Sequence, residues 1–390
     1  MAGVTAPARV LPALVAAQFL GVSPWFAVNA VMPELQRANG WAAEAVGPLT
    51  AAVQLGFIVG TLLFALLAVA DRFATRRVFL ACALASALCT LGALASARHF
   101  EALWVWRALT GFFLAGIYPV GMKLAAQWFP RGLGAALGWL VGALVLGSAL
   151  PHALRALTVG AGGWPWQAVF GAIALASVAA GLLVMVAVPE PLHAPARVST
   201  LQWRALGAVW TDRKVRASVL GYFGHMWELY ALWVLLPFII ATRLQGAALS
   251  WAAFAALGAG ALGCAVGGRV AQRVGSARVA AAQLATSGLC CLAAPFMLAA
   301  PDLLFAAWLF VWGVTVAGDS PQFSALTAAN APPQAVGSVL TLTNSLGFAL
   351  SIVSIQLFVS LLPSVSLAAL LPWLAVGPLL GLWALRPLLR

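Results

Sequence analysis

The chain has 390 residues, of which 63% are hydrophobic and only 8% charged, with a mean hydropathy of +1.00. Soluble globular proteins carry roughly three times that charged fraction, so the composition argues against a soluble enzyme, a nucleic-acid-binding module and a disordered chain. A net charge of +12, from 21 Lys and Arg against 9 Asp and Glu, would suggest nucleic acid in a soluble protein; here the position of the charges matters more than their sum.

A helix needs about 20 mostly apolar residues to cross a bilayer, and polar punctuation divides this chain into twelve such runs. Span 1, residues 8–31, is too long and too poor in cleavage signals for a signal peptide. Gln18, Trp25 and Asn29 fall within about 40° of one another on its surface, with Pro24 between them, and are candidate cavity residues. Span 2, residues 44–69, runs into a charged loop, Asp71-Arg72-Phe73-Ala74-Thr75-Arg76-Arg77. Spans 3 and 4 are 78–97 and 101–128. In span 4, Arg107, Gly111 and Tyr118 share one face: a cation, a gap and a phenol, which suit an anionic solute group. The competing reading is an arginine bound to backbone carbonyls. Lys123 lies about 160° from Arg107, near the helix end, and reads as a snorkelling lysine. Spans 5 and 6 are 133–157, with Ser148 and His152 on one face, and 165–188.

One long polar gap follows, from Pro189 to Lys214, with Pro189, Pro191 and Pro195 and then Leu201, Trp203, Leu206, Val209 and Trp210 among charges. It predicts a short amphipathic helix lying on the membrane face. The gap divides the chain into a six-helix bundle over 1–188, a linker over 189–214 and a second six-helix bundle over 215–390.

Span 7, residues 215–242, opens with Gly221-Tyr222-Phe223-Gly224-His225-Met226-Trp227-Glu228-Leu229-Tyr230. His225 and Glu228 are about 60° apart, which predicts a contacting pair able to exchange a proton. The alternative is a pair that locks the helix to a neighbour. The opposite side carries Tyr222, Met226, Tyr230 and Trp233, and Tyr222 and Tyr230 are candidate solute contacts. Spans 8 and 9 are 248–271 and 278–299. Span 10, 302–328, holds Asp319 in Gly318-Asp319-Ser320-Pro321. Asp319 is a second proton carrier, a partner for Arg107 or Lys123, or a cap for a helix broken at Pro321. Spans 11 and 12 are 335–361, with Thr341, Asn344 and Ser345, and 366–385. Ionisable groups inside a span are costly and rare, so Arg107, Lys123, His225, Glu228 and Asp319 form the short list for function. The five cysteines lie in apolar runs without ligand spacing, and no metal and no cofactor is expected.

With the N-terminus in the cytoplasm, 15 of the 21 basic residues fall in inside loops and adjoining helix ends and 4 in outside ones. This predicts both termini on the cytoplasmic side of the cytoplasmic membrane. The two halves also repeat each other. Asp71-Arg72…Arg76-Arg77-Val78 returns as Gln272-Arg273…Arg278-Val279, and Ala115-Gly116-Ile117-Tyr118-Pro119 returns as Ala317-Gly318-Asp319-Ser320-Pro321. Two motifs at nearly one offset imply a duplicated six-helix unit.

Twelve spans, a 6+6 repeat and a central loop resemble the major facilitator superfamily of secondary transporters. That family's loop motif after helix 2 has the form G-x-L-A-D-R-x-G-R-R; Ala70-Asp71-Arg72 and Arg76 match it, while Leu67, Val69, Ala74 and Thr75 depart from it. Arg107-Ala108-Leu109-Thr110-Gly111 fits the R-x-x-x-G that often begins the family's helix 4. Span 5 is Gly-rich before Pro151 but lacks the Gly-Pro of the antiporter motif, which leaves symport and antiport both open. The resemblance implies an all-α membrane protein of twelve transmembrane helices in two six-helix bundles. It also implies a gating cluster at Asp71, Arg72, Arg76, Arg77 and Arg273, weaker in the second copy, where Gln272 replaces the acid. The expected function is alternating-access transport of a small solute, an organic or inorganic anion, coupled to protons at His225, Glu228 or Asp319. The alternative is proton-driven export of amphipathic compounds. The expected partners are a small-molecule substrate, protons and the lipid bilayer, with no nucleic acid and a monomeric chain. Nothing in the sequence groups catalytic residues as an enzyme would.

Overall fold

A computed structural model describes residues 6–129, 133–160, 163–190 and 201–390. Arg131 and Arg197 of the charge count, and Pro191 and Pro195 of the linker, lie outside the described residues.

Twelve helices among the described residues are long and apolar enough to cross a membrane. They are α1 (Val10–Asn39), α2 (Ala43–Leu66), α3 (Thr75–Ala95), α4 (Phe100–Trp128), α5 (Leu133–Gly160) and α6 (Gln167–Ala187), then α7 (Arg213–Ala241), α8 (Gly246–Val274), α9 (Ser276–Met297), α10 (Asp302–Asn330), α11 (Val336–Leu361) and α12 (Leu367–Leu388). In hydrocarbon every backbone group must be satisfied within its own segment, and helices achieve this. The expected spans agree to within a few residues, except that α1 continues past Val31 through Met32–Asn39. That extension is polar, and Glu34 pairs there with Arg37 at 3.3 Å and with Arg155 of α5.

Among the described residues four helices are interrupted, each at a proline. Pro372 sits in the 3-10 turn Leu371–Ala375 within α12. Pro24 sits in the 3-10 turn Ser23–Phe26 within α1. Pro119 lies in the first turn of the resumed half of α4, Tyr118–Trp128, and Pro321 does the same for Ser320–Asn330 of α10. Proline lacks an N–H and clashes with the preceding turn, so the Ala-Gly-x-x-Pro repeat is a repeated helix break. The duplication reaches further. A Cβ added to Gly111 of α4 would stand 1.8 Å from the carbonyl oxygen of Val53 on α2. A Cβ on Gly313 of α10 would stand 2.1 Å from that of Ala256 on α8. The same glycine-mediated crossing therefore occurs in both halves.

The halves meet along two seams. Helix α5 runs against α8, where the Arg269 guanidinium lies 5.9 Å from the centre of the Trp139 ring. Helix α2 packs on α11, where the Ser351 hydroxyl donates to Gln54 Oε1 at 3.0 Å. Both described ends of the chain and the segment joining the halves lie at one end of the bundle, here the linker face; the other is the far face. Toward the linker face α2 and α11 diverge and leave a cleft of about 340 Å³, whose lining includes Thr61, Asp71, Lys123, Ser338 and Thr341, with Leu201 from the linker. The linker forms a 3-10 turn, Trp203–Leu206, and a short helix, Gly207–Thr211. Val209 is buried against Val215, Val219 and Val339, while Trp203 and Trp210 are exposed. Asp212 caps α7, accepting from the backbone N–H groups of Val215 and Lys214, which hold its carboxyl below the ordinary range.

Candidate functional site: a central aromatic cavity

The proline break in α1 turns the indole of Trp25 inward between the halves. It stacks on Tyr230 of α7 at 5.9 Å and meets Phe57 of α2 at 5.0 Å and Phe348 of α11 at 5.5 Å. Phe26 meets Trp233 edge-on at 5.6 Å. Edge and offset contacts at these separations are favourable. Tyr230 and Trp233 belong to the second half of α7, which runs from the linker face outward, so this cluster shuts the centre of the protein toward the far face.

Beneath it lies a cavity of about 50 Å³, room for a few waters. Trp25, Tyr118, Val141 and Leu144 line it from the first half, and Tyr222, Met226, Tyr230, Trp233, Ser320, Ser324, Asn344 and Phe348 from the second. The chain contains only three tyrosines, and all three are here. The aromatic side of span 7 thus faces the space between the halves, joined by Trp25 and Tyr118. No lining side chain is charged. Two carry buried donors without an acceptor: the indole N–H groups of Trp25 and Trp233. Sequence reasoning passed over Trp233 as a contact, although it lies three residues beyond Tyr230 on the same face. It also passed over Ser320 and Ser324, whose orientation depends on how α10 resumes after its break.

The expected contact between His225 and Glu228 does not form. His225 Nδ1 instead lies 2.7 Å from Asp319 Oδ1, an ion-pair contact without hydrogen-bond alignment, and both side chains are 1% exposed. The His225 ring is 5.8 Å from that of Tyr222, so the pair stands directly behind the cavity wall. Glu228 points to the other flank of α7. Its Oε1 accepts from the Ser287 hydroxyl and Cys291 thiol of α9 and from Trp312 Nε1 of α10 at 2.7 Å. The separation of about 60° along the helix is enough to send the two side chains to different neighbours. Asp319 does not cap the resumed helix with its side chain, and it meets neither Arg107 nor Lys123.

The other candidates are dispersed. Arg107 is fully buried, and its guanidinium donates to the carbonyls of Pro24, at 2.8 Å, and Trp25. Those oxygens are freed by the α1 break, and Arg107 does not line the cavity. Gln18 is buried against Gly121 of α4, with both amide atoms unpartnered. Asn29 donates to Thr50 at 2.7 Å. Of the three polar candidates on span 1, only Trp25 therefore reaches the cavity. In span 5, His152 is buried with Nε2 unpartnered. Lys123 does not snorkel into solvent: it donates to Asp71 Oδ1 and to the carbonyl of Ala70, both at 2.5 Å. Asp71 is thus paired within its own half rather than with a loop arginine. Arg76 pairs with Glu190 at 2.5 Å and donates to the carbonyls of Met185 and Val188. Arg72, Arg77 and Arg273 are exposed and have no acidic partner among the described residues.

The sequence model of the Major Facilitator Superfamily matches residues 14–385. Among solved structures, the human organic anion transporter MFSD10 (TETRAN) superposes with a TM-score of 0.72 at 17% identity, over 97% of this chain and 99% of that one. Comparison with curated proteins finds no match. The family match over nearly the whole length, on a fold of two six-helix bundles with twelve membrane-crossing helices, places this chain in the Major Facilitator Superfamily of secondary transporters.

Proposed function

We propose that the protein carries a small organic anion with an aromatic or apolar body across the cytoplasmic membrane by alternating access, with proton coupling at the His225–Asp319 pair. The observation that carries this reading is the pair of unsatisfied indole N–H groups, Trp25 Nε1 and Trp233 Nε1, one from each half of the chain. Buried donors without acceptors are costly, and an oxyanion between the halves satisfies both. The tyrosine and phenylalanine faces suit the solute's body, and no carboxylate lines the cavity to repel it. Arg107 serves this site indirectly, by holding the α1 carbonyls on which the orientation of Trp25 depends. The organic anion transporter described above shares this fold, and the class of solute in its name agrees with the reading.

The moving bodies are residues 1–188 and 215–390, joined by the linker 189–214, with the linker face and both termini in the cytoplasm. The cation excess in the linker-face loops supports that orientation. The cleft at Asp71 and Lys123 lies on the route between the cytoplasm and the cavity, and that pair, held within the first half, borders its entrance. Arg72, Arg76, Arg77 and Arg273 flank the same face. Glu228 is a second buried carboxyl, off the solute route. Export of uncharged amphipathic compounds is the second reading, favoured by the aromatic lining alone.

Purified protein in liposomes decides between these. An imposed inward proton gradient should drive accumulation of labelled benzenesulfonate, a permanently ionised probe, and a protonophore should abolish it. Accumulation of trimethylphenylammonium or an uncharged aromatic alcohol in place of the sulfonate would refute the anion reading.

A further inference from the structure

A second space opens at the far face of the second half, away from the central cavity. It is a groove of about 280 Å³ between α8 and α10, with Ile240 at the end of α7 as its floor. Its walls are apolar: Ala252, Ala255 and Ala256 of α8 on one side, Phe305 and Phe310 of α10 on the other. The small alanine side chains leave the gap. Ala255 and Phe310 are exposed, so the groove opens sideways, where a membrane presents lipid. Every lining residue belongs to the second half, so the groove lies off the route between the halves.

The neighbours of the groove fix its depth. Leu303, beside Asp302, is 85% exposed, and Trp251, at the start of α8, is 43% exposed. An exposed leucine belongs in hydrocarbon and an exposed tryptophan at its edge. Asp302 and Arg243 therefore stand at the boundary, and the groove runs inward from them through the far-face leaflet. The eight residues from Asp302 to Phe310 span about 12 Å of helix, close to the hydrocarbon depth of one leaflet, about 15 Å.

The mouth carries two opposite charges in fixed positions. Arg243 Nη1 donates to Asp302 Oδ1 at 2.6 Å, and Nη2 donates to the carbonyls of Leu298 at 2.9 Å and Ala300 at 2.7 Å. The guanidinium also lies 5.2 Å from the centre of the Phe305 ring. Three of its five N–H donors are thus used, and the Nε–H and one N–H of Nη1 remain. The Asp302 side chain is 89% exposed, and its Oδ2 makes no hydrogen bond among the described residues.

We propose that the groove binds one phospholipid of the far-face leaflet whose phosphate diester carries a primary ammonium, as in phosphatidylethanolamine. One acyl chain lies between the alanines of α8 and Phe310. The phosphate accepts from the remaining Arg243 donors, and the ammonium donates to Asp302 Oδ2. The mouth is neutral as a whole, like this headgroup. A choline headgroup has no N–H for the carboxylate, and a glycerol headgroup has no cation for it. The carbonyl of Ala256, at the base of the groove, is the one that Gly313 crosses closely. A chain filling the groove therefore braces the α8–α10 crossing and moves with the second half. The inference holds whichever solute the central cavity carries.

The test uses full-length purified protein in detergent, titrated with the dioleoyl forms of phosphatidylethanolamine, phosphatidylcholine and phosphatidylglycerol. Native mass spectrometry counts bound lipid, and thermal unfolding reads stabilisation, since a ligand of the folded state raises its stability. Wild type should retain one ethanolamine lipid per chain, half-saturated at up to about fivefold lower concentration than the choline lipid, the range of an exposed ion pair. The ethanolamine lipid should also raise the melting temperature most. Asp302→Asn, at an exposed side chain, should fold and bind the ethanolamine and choline lipids equally. Ala255→Phe, at an exposed position, should fold and lose the retained lipid. Equal retention of all three lipids by wild type, tighter retention of phosphatidylglycerol, or undiminished retention in Ala255→Phe would overturn the proposal. Displacement of the lipid by a lower concentration of dodecyltrimethylammonium would overturn it too, in favour of an amphipathic cation.

Discussion

Asp319 meets His225, at 2.7 Å, from the joint at which α10 is broken. Gly318 ends the first segment of α10 and Ser320 begins the second, with Pro321 in its first turn. The carboxyl projects from the joint toward α7. An intramembrane acid placed at a helix break between two bundles sits where a rocking motion changes its surroundings.

Asp319→Asn keeps the shape of the side chain and removes its charge. Accumulation of benzenesulfonate driven by a pH gradient should fall to the level of equilibrium exchange, while exchange of labelled for unlabelled solute continues. Reconstituted vesicles assayed with and without the gradient separate the two. Undiminished gradient-driven accumulation would remove Asp319 from the coupling.

Glu228 has a different environment and should give a different result. Its Oε1 gathers three donors from α9 and α10, so Glu228→Ala leaves the Ser287 hydroxyl and the Trp312 indole N–H without an acceptor. Unsatisfied buried groups cost about 1–3 kcal/mol each, and the variant should lose at least about 2 kcal/mol of stability on that basis. Glu228→Gln retains an acceptor oxygen and should lose far less. Thermal unfolding of both variants in detergent is the measurement, and equal stability of the two would show that the donors do not depend on Glu228.

The twelve spans and the repeat were legible because the bilayer imposes a strong and local rule: runs of apolar residues and the punctuation between them. The break at Pro321 was visible for a reason equally local: a proline inside an apolar run lacks the N–H that continues the helix. Partner choice was not. Arg107 could have faced a solute or a carbonyl, and the α1 turn at Pro24 decided for the carbonyl. Lys123 looked like a snorkelling residue because its sequence neighbourhood is apolar, yet the partner that holds it, Asp71, comes from a loop 52 residues away. His225 and Glu228 are neighbours along α7, but Asp319 and Ser287 draw them apart from two other helices. Periodicity locates a residue on its own helix and carries no information about which helix lies opposite.

The indole donors offer a conservative test of the cavity. Trp25→Phe and Trp233→Phe keep an aromatic ring and delete only the N–H. A hydrogen bond to a charged acceptor contributes about 1.5–3 kcal/mol, so each variant should bind benzenesulfonate roughly ten- to a hundredfold more weakly. Calorimetric titration measures this directly. Unchanged affinity in both variants would show that the oxyanion does not meet the indoles.

Ala68 holds the turn between α2 and the Asp71 loop with φ of +49°, and it is the only described residue other than glycine with a positive φ. A side chain in the left-handed region costs roughly 1–2 kcal/mol, part of which glycine returns through its greater freedom in the unfolded chain. Ala68→Gly should therefore raise stability by about 0.5–1 kcal/mol without changing transport. A lower melting temperature would show that the Ala68 methyl, which lines the linker-face cleft, contributes more by packing than it costs in strain.

The repeated glycine crossings allow the two halves to be compared by one substitution in each. A Cβ on Gly111 would meet the carbonyl oxygen of Val53 at 1.8 Å, and a Cβ on Gly313 that of Ala256 at 2.1 Å. Both obstacles are backbone, so no side-chain rotation relieves the clash and α2–α4 or α8–α10 must move apart. Overpacking of a close-packed core costs about 1–3 kcal/mol and occasionally more, and these crossings belong at the upper end. Gly111→Ala and Gly313→Ala should each lower the melting temperature sharply. Neither glycine lines the central cavity, so protein that does fold should keep its affinity for benzenesulfonate. Loss of binding with stability intact would mean instead that the crossings set the shape of the cavity. Normal stability in one variant alone would mean that the two copies, though matched in sequence and in the place of the crossing, no longer bear the same load.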